Sequence, residues 1–242
     1  ADAERYREIH LERIATSLAL VPPPAGTGRV LELGAYMQMT PALHNVLGYR
    51  EVRAAYLGAP GTVDTKTASV NGQTIFECQC DLFDAERDPY PYPDGYFDCV
   101  LACEIFEHML HDPMHLLFET RRVLAGQGTL LITTPNVASA TAVARVLEMS
   151  GNPQLYSKYA ADDVGHVREY TPAELTEALE AAGFEIVSLF TRNAPGYNSA
   201  SWVTGLLQDL HQPTQFRGEQ MFCLARKQTA PKLKRRPEFL YD

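Results

Sequence analysis

The sequence predicts an α/β fold in which short strands alternate with helices or turn-rich spacers. Short apolar runs recur along the chain, and segments of helix length or rich in turn residues separate them. The run after Phe97-Asp98 is continuously apolar, which is typical of a strand at the centre of a parallel sheet. The 242 residues, with 45% hydrophobic content, can build one well-buried core. We therefore expect a single domain over residues 1–242.

The predicted elements follow one another in a regular order. Residues 1–27 form an N-terminal segment whose amphipathic helical stretch ends before Pro22-Pro23-Pro24. The expected strands are 29–33, 52–57, 74–78, 97–103, 129–133, 184–190 and 220–225.

Two helix starts carry specific signals. Asp112 followed by Pro113 is typical of an N-cap with proline at the first helical position. Thr171 and Glu174 form a capping-box pattern, and Gly183 marks the end of the helix that it opens. Both helices therefore have defined boundaries in the sequence.

Residues 136–170 form a segment too long for an ordinary loop. It carries Tyr156, Tyr159, His166 and Tyr170, and long insertions over the carboxyl edge of a sheet commonly form lids or substrate walls. We expect a helical lid after the fifth predicted strand. The alternative is a helix pair that only caps the sheet.

Charge and cysteine content restrict the partners. The formal net charge of −9 disfavours a large nucleic-acid surface. Residues 228–242 are expected to form a C-terminal tail, and the positive charges of residues 227–236 are interpreted as a solvated end rather than a nucleic-acid arm. The five cysteines show no CxxC spacing and are expected to be reduced, as in a cytoplasmic protein. No segment approaches the roughly 18 to 20 unbroken apolar residues of a membrane span. The sequence does not predict an oligomeric state.

Two carboxylates and an imidazole follow the strand predicted over 97–103. Glu104, Glu107 and His108 are spaced so that they share one face if a helical turn begins there. Ligands bind at the carboxyl ends of strands in open α/β sheets. The sequence therefore predicts the chemistry near Glu104.

Several motifs, taken in order, resemble those of class I S-adenosylmethionine-dependent methyltransferases over residues 28–226. They are Val30-Leu-Glu32-Leu-Gly34-Ala35, Asp84-Ala-Glu, Pro93-Asp-Gly-Tyr-Phe97-Asp98, the Glu104 cluster, Arg122-Val-Leu-Ala-Gly-Gln-Gly128, Thr134-Pro-Asn136, Tyr170-Thr-Pro-Ala-Glu-Leu and Ala182-Gly-Phe184. The resemblance implies a Rossmann-like, mostly parallel sheet of seven strands, with an antiparallel last strand and helices on both faces. It also implies that S-adenosylmethionine lies across the ends of the first, second and fourth strands.

The resemblance assigns the cofactor-binding residues. Glu32 would hold the methionine amino group, and Asp84, with Asp81 as the alternative, would read the adenine edge together with the Ala85 amide. The full expected set is Glu32, Gly34, Ala35, Tyr36, Tyr56, Asp84, Ala85, Cys103 and Glu104.

Two departures from the family pattern concern the same cofactor. Where the family usually shows GxGxG, this chain has Gly34-Ala-Tyr36-Met-Gln38. Tyr56 stands where an acidic residue usually holds the ribose hydroxyls. We therefore expect weaker or differently arranged cofactor binding, with Tyr36 beside the sulfonium.

The residues Glu104, Glu107, His108 and His166 resemble the metal-binding arrangement of small-RNA 3′-terminal 2′-O-methyltransferases. The resemblance implies a divalent metal on these four residues, with His108, Glu104 and His166 acting in catalysis. Two alternatives stay open: His108 acts as a base without metal, or the cluster is structural.

The leading functional hypothesis is an O-methyltransferase that acts on a sugar hydroxyl of a glycan or nucleotide-sugar precursor. It rests on Gly151-Asn152 and on segments 166–171 and 236–241, which resemble enzymes of polysaccharide biosynthesis. The alternatives are RNA 2′-O-methylation and a catalytically degenerate partner protein.

Overall fold

The computed structural model describes residues 2–152, 165–194, 200–229 and 236–241. The strands in these ranges are β1 (Arg29–Leu33), β2 (Glu51–Tyr56), β3 (Thr62–Val70), β4 (Gln73–Leu82), β5 (Phe97–Cys103), β6 (Leu124–Pro135), β7 (Phe184–Arg192) and β8 (Gln220–Lys227). The helices are α1 (Asp2–Leu20), α2 (Thr40–Asn45), α3 (Pro113–Val123), α4 (Ala140–Leu147), α5 (Pro172–Ala181) and α6 (Ser201–Asp209), with a 3₁₀ turn at Phe106–His108.

The described strands form one sheet in the order β3-β4-β2-β1-β5-β6-β8-β7. β4, β2, β1, β5 and β6 are parallel to their neighbours in this series. β8, the last strand in the chain, lies between β6 and β7 and is antiparallel to both. The expected mostly parallel sheet with an antiparallel last strand is confirmed.

The expectation of seven strands is wrong, because β3 adds an eighth in the described part of the chain. β3 pairs antiparallel with β4 at the edge of the sheet. Asn71 and Gly72 connect the two strands with φ angles of 51° and 78°. An Asn-Gly pair with two positive φ angles is typical of a tight hairpin turn. The sequence therefore carried the signal for this hairpin.

Helices cover both faces of the sheet, as expected. Side chains alternate along β1, so Val30 packs in one apolar cluster with Leu43 of α2. Leu31 packs in the opposite cluster with Leu116 of α3 and Leu175 of α5. α1 contributes to the first cluster. Within the described ranges, no helix has the length and apolar character to cross a membrane.

The predicted lid is only partly visible in the described residues. Asn136 and Tyr170 form a parallel bridge at the base of the 136–170 insertion, and α4 follows Asn136. Tyr156 and Tyr159 lie outside the described residues. The helical character of the insertion is borne out by α4, and its role as a lid stays a prediction.

The described end of the C-terminal tail packs on the domain, whereas residues 230–235, most of the stretch interpreted as a solvated end, lie outside the described residues. Phe239, Leu240 and Tyr241 pack against the main apolar cluster. Arg236 lies 2.5 Å from a carboxylate oxygen of Asp112. The end of the described chain is therefore attached to the body of the domain.

Candidate active site

Four parallel strands end along one edge of the sheet. β1 ends at Leu33, β2 at Tyr56, β4 at Leu82 and β5 at Cys103. The register places these ends side by side, since Leu33 pairs with the penultimate residues of β2 and β5 and Tyr56 pairs with Leu82. The structure thus brings most of the predicted site residues to one carboxyl edge, where ligands of open α/β sheets bind.

Glu32 is buried near the end of β1, with 4% of its surface exposed. Among the described residues, its Oε2 atom has no hydrogen-bond partner. Burial raises the pKa of Glu32 to about 7. Beside it, burial and the Glu32 charge raise the pKa of Cys103 to about 12. Buried polar atoms are normally hydrogen-bonded, so the unpaired Oε2 of Glu32 points to a polar ligand.

Gly34 begins the turn after β1 with φ 65°, in the left-handed region. A Cβ at this position would lie 2.6 Å from Cγ2 of Ile105, so a larger residue would be both strained and blocked. The next residue, Ala35, is buried, and its amide donates to the carbonyl of Ala55 at 3.1 Å. The turn therefore runs tightly between β2 and the loop after β5.

Tyr36 and Tyr56 form a pair at the ends of β1 and β2. The Tyr56 hydroxyl donates to that of Tyr36 at 2.8 Å, and the rings meet edge to face with centroids 5.3 Å apart. Tyr36 is 67% exposed. Its ring is therefore accessible beside Tyr56, the residue that the resemblance places at the cofactor ribose.

The structure separates the two aspartates considered for the adenine edge. Asp81 is buried, and its carboxylate binds Arg53 at 2.5 to 3.0 Å and accepts from the Tyr92 hydroxyl at 2.6 Å. Asp84 lies in the turn after β4 and accepts from the Glu86 amide at 2.9 Å. Asp81 therefore has a structural role, and Asp84 with Ala85 stays the predicted adenine contact.

Glu104 follows β5 directly and has φ 56°. Its carboxylate lies 3.1 Å from Nη1 of Arg13 and accepts from Thr133 at 2.8 Å and from Gln220 at 2.6 Å. Because these donors hold it, the structure does not bring Glu104 to the other predicted metal ligands. Glu104 is therefore outside the group that the other three predicted ligands form in the described chain, and its role as a metal ligand stays a prediction.

The remaining three predicted ligands converge. In the described chain, one ligand atom from each of Glu107, His108 and His166 lies within 4.8 Å of the other two. Oε1 of Glu107 is buried without a hydrogen-bond partner there, whereas Oε2 accepts from Thr134 at 2.9 Å. The histidine rings lie 5.1 Å apart in a T-shaped arrangement.

A partner at Nδ1 orients each of the two imidazoles. Nδ1 of His108 lies 3.2 Å from the carbonyl of Gly165, and Nδ1 of His166 lies 2.8 Å from a carboxylate oxygen of Glu169. Both partners only accept, so each Nδ1 carries the proton and each Nε2 presents a lone pair when the ring is neutral. Such partners fix the tautomer of catalytic and metal-binding histidines.

Electrostatic interactions within the cluster oppose the effect of burial on the pKa values of its side chains. Burial raises the pKa of Glu107, while His108 and His166 counteract that shift. The hydrogen bond to Glu169 raises the pKa of His166 above its ordinary value, although burial opposes it. A buried acid next to two imidazoles is an arrangement that can hold a proton or a cation.

Comparison with known families identifies the domain. A family model described as a methyltransferase domain matches residues 4–189. The chain belongs to this methyltransferase family. The match covers most of the sheet and the entire edge that carries Glu32 and Glu107.

Two mycobacterial proteins, both named probable S-adenosylmethionine-dependent methyltransferases, are similar to this methyltransferase domain. The protein of Mycolicibacterium smegmatis is 35% identical over 96 residues, which are 40% of this chain and 32% of that protein. The protein of Mycobacterium tuberculosis is 30% identical over 109 residues, which are 45% of this chain and 34% of that protein. The chain matches about a third of the length of these relatives.

Solved structures agree in fold. A methyltransferase of Haloferax volcanii, solved in complex with the Trm112 methyltransferase activator, has a TM-score of 0.60 at 16% identity, over 96% of this chain and 95% of that chain. An S-adenosylmethionine-dependent methyltransferase of Archaeoglobus fulgidus has a TM-score of 0.58 at 17% identity, over 91% of this chain and 97% of that chain. The class I methyltransferase fold of this domain is therefore established.

The methyltransferase site includes residues that the sequence analysis missed. Arg13 of α1 and Gln220 of β8 reach Glu104 from distant parts of the chain, and no local pattern marks either of them. Glu169 follows His166 by three residues, which is a spacing at which polar side chains often meet. That spacing was a usable signal for the orienting carboxylate.

Proposed function

We propose that this domain is an S-adenosylmethionine-dependent O-methyltransferase that acts on a sugar hydroxyl of a glycan or nucleotide-sugar precursor. The convergence of Glu107, His108 and His166 carries the proposal. A hydroxyl group holds its proton firmly at neutral pH, so its methylation needs a base or a metal close to the methyl donor. Glu107 and His108 follow β5, at the edge that carries the expected cofactor residues, and His166 comes from the insertion after β6.

The expected cofactor residues fit the chemistry of S-adenosylmethionine. Glu32 has an unpaired buried oxygen and a pKa of about 7, so it is suited to ionise against an ammonium group. Tyr36 and Tyr56 offer an aromatic face and hydroxyls near the expected ribose. The bound cofactor supplies an electrophilic methyl group on a sulfonium, whose positive charge an aromatic face stabilises by roughly 0.5 to 2 kcal/mol.

The cluster can remove the acceptor proton without a metal. Nε2 of His108 is the basic nitrogen of the neutral ring, because Nδ1 donates to Gly165. It would take the hydroxyl proton as the oxygen attacks the methyl group in line with the departing sulfur. The resulting imidazolium would lie 3.8 Å from Oε1 of Glu107, which would stabilise its charge.

The same three side chains also fit a divalent metal. One carboxylate oxygen and two imidazole nitrogens suit manganese, iron, cobalt or zinc. Three protein ligands leave positions for a substrate, and a metal bound there would lower the pKa of a coordinated hydroxyl. Gly165 and Glu169 would orient the two histidines in this case as well.

A vicinal diol is the acceptor that this arrangement fits best. Two neighbouring hydroxyls can bind one cation or bridge the base and the buried carboxylate, which fixes the direction of attack. Sugars present such diols. The net charge of −9 supports a glycan precursor over a long nucleic acid, which proteins bind with clustered positive charge.

The test is a methyl-transfer assay with radiolabelled cofactor and a panel of acceptors. The panel contains nucleotide sugars, free sugars with vicinal hydroxyls, the matching deoxy sugars and a short RNA with a free 3′ end, each with and without EDTA and added manganese. We expect transfer to a nucleotide sugar or glycan precursor and none to its deoxy analogue. Exclusive transfer to RNA would show that the acceptor is RNA and not a sugar. Failure to bind the cofactor in calorimetry would show that the domain is a catalytically degenerate partner protein.

A further inference from the structure

The C-terminal clamp, which we define as Arg236, Phe239 and Tyr241, is attached to the loop that follows His108. Arg236 lies 2.5 Å from Oδ2 of Asp112, and the Tyr241 hydroxyl donates to Oδ1 of the same carboxylate. The amide of Met114 donates to the Tyr241 hydroxyl at 3.3 Å. Burial acts to raise the pKa of Asp112, but the hydrogen bonds from Arg236 and Tyr241 hold it below its ordinary value.

The carboxylate of Asp112 is used for this attachment rather than for capping α3. Asp112 occupies the N-cap position, yet its side chain makes no capping hydrogen bond. An aspartate at that position usually bonds the first free amides of its helix. Its side chain holds Arg236 and Tyr241 instead, and the Arg236 guanidinium lies 5.9 Å from the centre of the Phe118 ring.

A second contact joins the clamp to the segment that carries His166. The Arg168 guanidinium lies 5.6 Å from the ring centres of both Phe239 and Tyr170, and its Nη2 donates to Glu174 at 2.7 Å. Phe239 also packs against the main apolar cluster. The clamp therefore fixes Arg168 from one side.

The backbone of the same segment is bonded to the catalytic cluster. The amides of Val167 and Arg168 donate to the carbonyl of Glu107 at 2.8 and 3.2 Å. Gly165, at the other end of the segment, accepts from His108. His166 thus lies between residues that contact the cluster and a residue, Arg168, that contacts the clamp.

We propose that the clamp, formed by Arg236, Phe239 and Tyr241, is a positioning element of the catalytic site, which acts through Asp112 and Arg168 on His108 and His166. The inference rests on the proposed role of those histidines in methyl transfer. None of the clamp residues contacts a reacting atom in the proposed mechanism. Loss of the clamp should therefore impair the chemical step and leave cofactor binding intact, because Glu32 and Gly34 lie on β1 and the turn after it.

The test compares Phe239→Ala, Arg236→Ala and Tyr241→Phe with the control Glu238→Gln, whose side chain is exposed on the same segment. We expect kcat to fall about tenfold or more in Phe239→Ala, since small displacements of catalytic groups have large effects on rate. The Kd of S-adenosylmethionine, measured by calorimetry, should change less than about twofold if the clamp acts as proposed. Phe239→Tyr, which keeps an aromatic ring under Arg168, should recover most of the rate.

A readout independent of activity separates this inference from the proposed function. Side-chain NMR of ¹⁵N-labelled histidine reports the tautomers of His108 and His166 in each variant. The clamp variants should shift these signals, and Glu238→Gln should not. Unchanged signals and kcat, with only a lower Tm, would overturn the inference. If Phe239→Ala does not fold, Tyr241→Phe, which loses one hydroxyl, decides by the same measurements.

If the clamp variants shift the histidine signals but the wild-type domain transfers no methyl group, the proposed function alone is refuted. Normal transfer by wild type and by all clamp variants, with unaltered signals, would refute the clamp alone.

Discussion

Oε1 of Glu107 lies 3.8 Å from Nε2 of His108, and this oxygen has no hydrogen-bond partner among the described residues although it is buried. A buried carboxylate oxygen without a partner is costly, and a folded protein retains one only where another interaction compensates. In the proposed mechanism, the compensating partner is the imidazolium formed during the reaction or a bound cation. The pair is thus prepared for a charge that arrives during the reaction.

Replacement of Glu107 by glutamine tests that relationship. Glu107→Gln keeps the shape and the acceptor for Thr134 but removes the negative charge, so kcat should fall about 10²-fold or more, the magnitude expected for loss of acid–base assistance. The control is Glu180→Gln, an exposed position on α5. Circular dichroism and Tm verify folding. Near-normal turnover of Glu107→Gln would show that neither the base nor the metal mechanism needs this charge.

Cofactor affinity should depend on pH through Glu32. Its pKa is about 7 in the ligand-free site, and only the ionised form attracts an ammonium group. Below pH 7 the affinity should therefore fall by up to about tenfold per pH unit, with proton release on binding. Calorimetry between pH 5.5 and 7.5, in two buffers of different ionisation enthalpy, measures both effects. Glu32→Gln should bind S-adenosylmethionine more weakly, and its affinity should not depend on pH in this range. A pH profile of Glu32→Gln parallel to that of wild type would show that another group titrates.

Glu32 should also make the ligand-free domain less stable as the pH rises. Its folded pKa of about 7 lies above the ordinary value of 4.5, so the folded state holds the proton more tightly. That contribution is fully present below pH 4.5 and is lost as the pH rises through 7. The loss amounts to about 3 kcal/mol of unfolding free energy. Urea unfolding at pH 5 and pH 8 should show a shallower decrease for Glu32→Gln than for wild type.

The sequence predicted the parallel core of the fold because its signals are local. A continuous apolar run follows Asp98 in β5, apolar residues dominate β1, and the capping box at Thr171 is present with both of its hydrogen bonds. The edge strand β3 was missed because both of its faces are largely exposed, so it lacks the apolar pattern that identifies a strand. Only the turn at Asn71 and Gly72 marked it.

Substitution of Gly72 tests whether the hairpin turn between β3 and β4 depends on a positive φ angle. Gly72 has φ 78°, and nothing lies within 4 Å of a Cβ built there, so Gly72→Ala introduces backbone strain without a steric clash. The free energy of unfolding should fall by about 1 kcal/mol. Gly126 also has open space around its Cβ position and lacks a positive φ, which makes Gly126→Ala the matched control. Equal effects of the two substitutions in urea unfolding would argue against strain at Gly72.

The candidate site was predictable where its residues are close in sequence. Glu107 and His108 follow β5 directly, and the sequence pattern identified them. The contacts of Glu104 depend on tertiary structure, because Arg13 and Gln220 come from elements far away in the chain. Sequence spacing suggested a shared face for Glu104 and Glu107, but the left-handed backbone at Glu104 directs its carboxylate to other partners. The sequence alone does not show that the Glu104 carboxylate points away from Glu107; the three-dimensional structure does.

The exposed Tyr36 ring should contribute to cofactor affinity. It lies in the loop where the family usually shows GxGxG and this chain keeps only Gly34. Tyr36→Phe keeps the aromatic face and removes the hydroxyl that meets Tyr56, whereas Tyr36→Ala removes both. A cation over an aromatic face is stabilised by roughly 0.5 to 2 kcal/mol, so Tyr36→Ala should weaken binding by about 2- to 30-fold. Tyr36→Phe should retain most of the affinity for S-adenosylmethionine. The neutral demethylated product lacks the sulfonium charge, so its affinity should change less in Tyr36→Ala; equal losses for both ligands would place Tyr36 away from the sulfur.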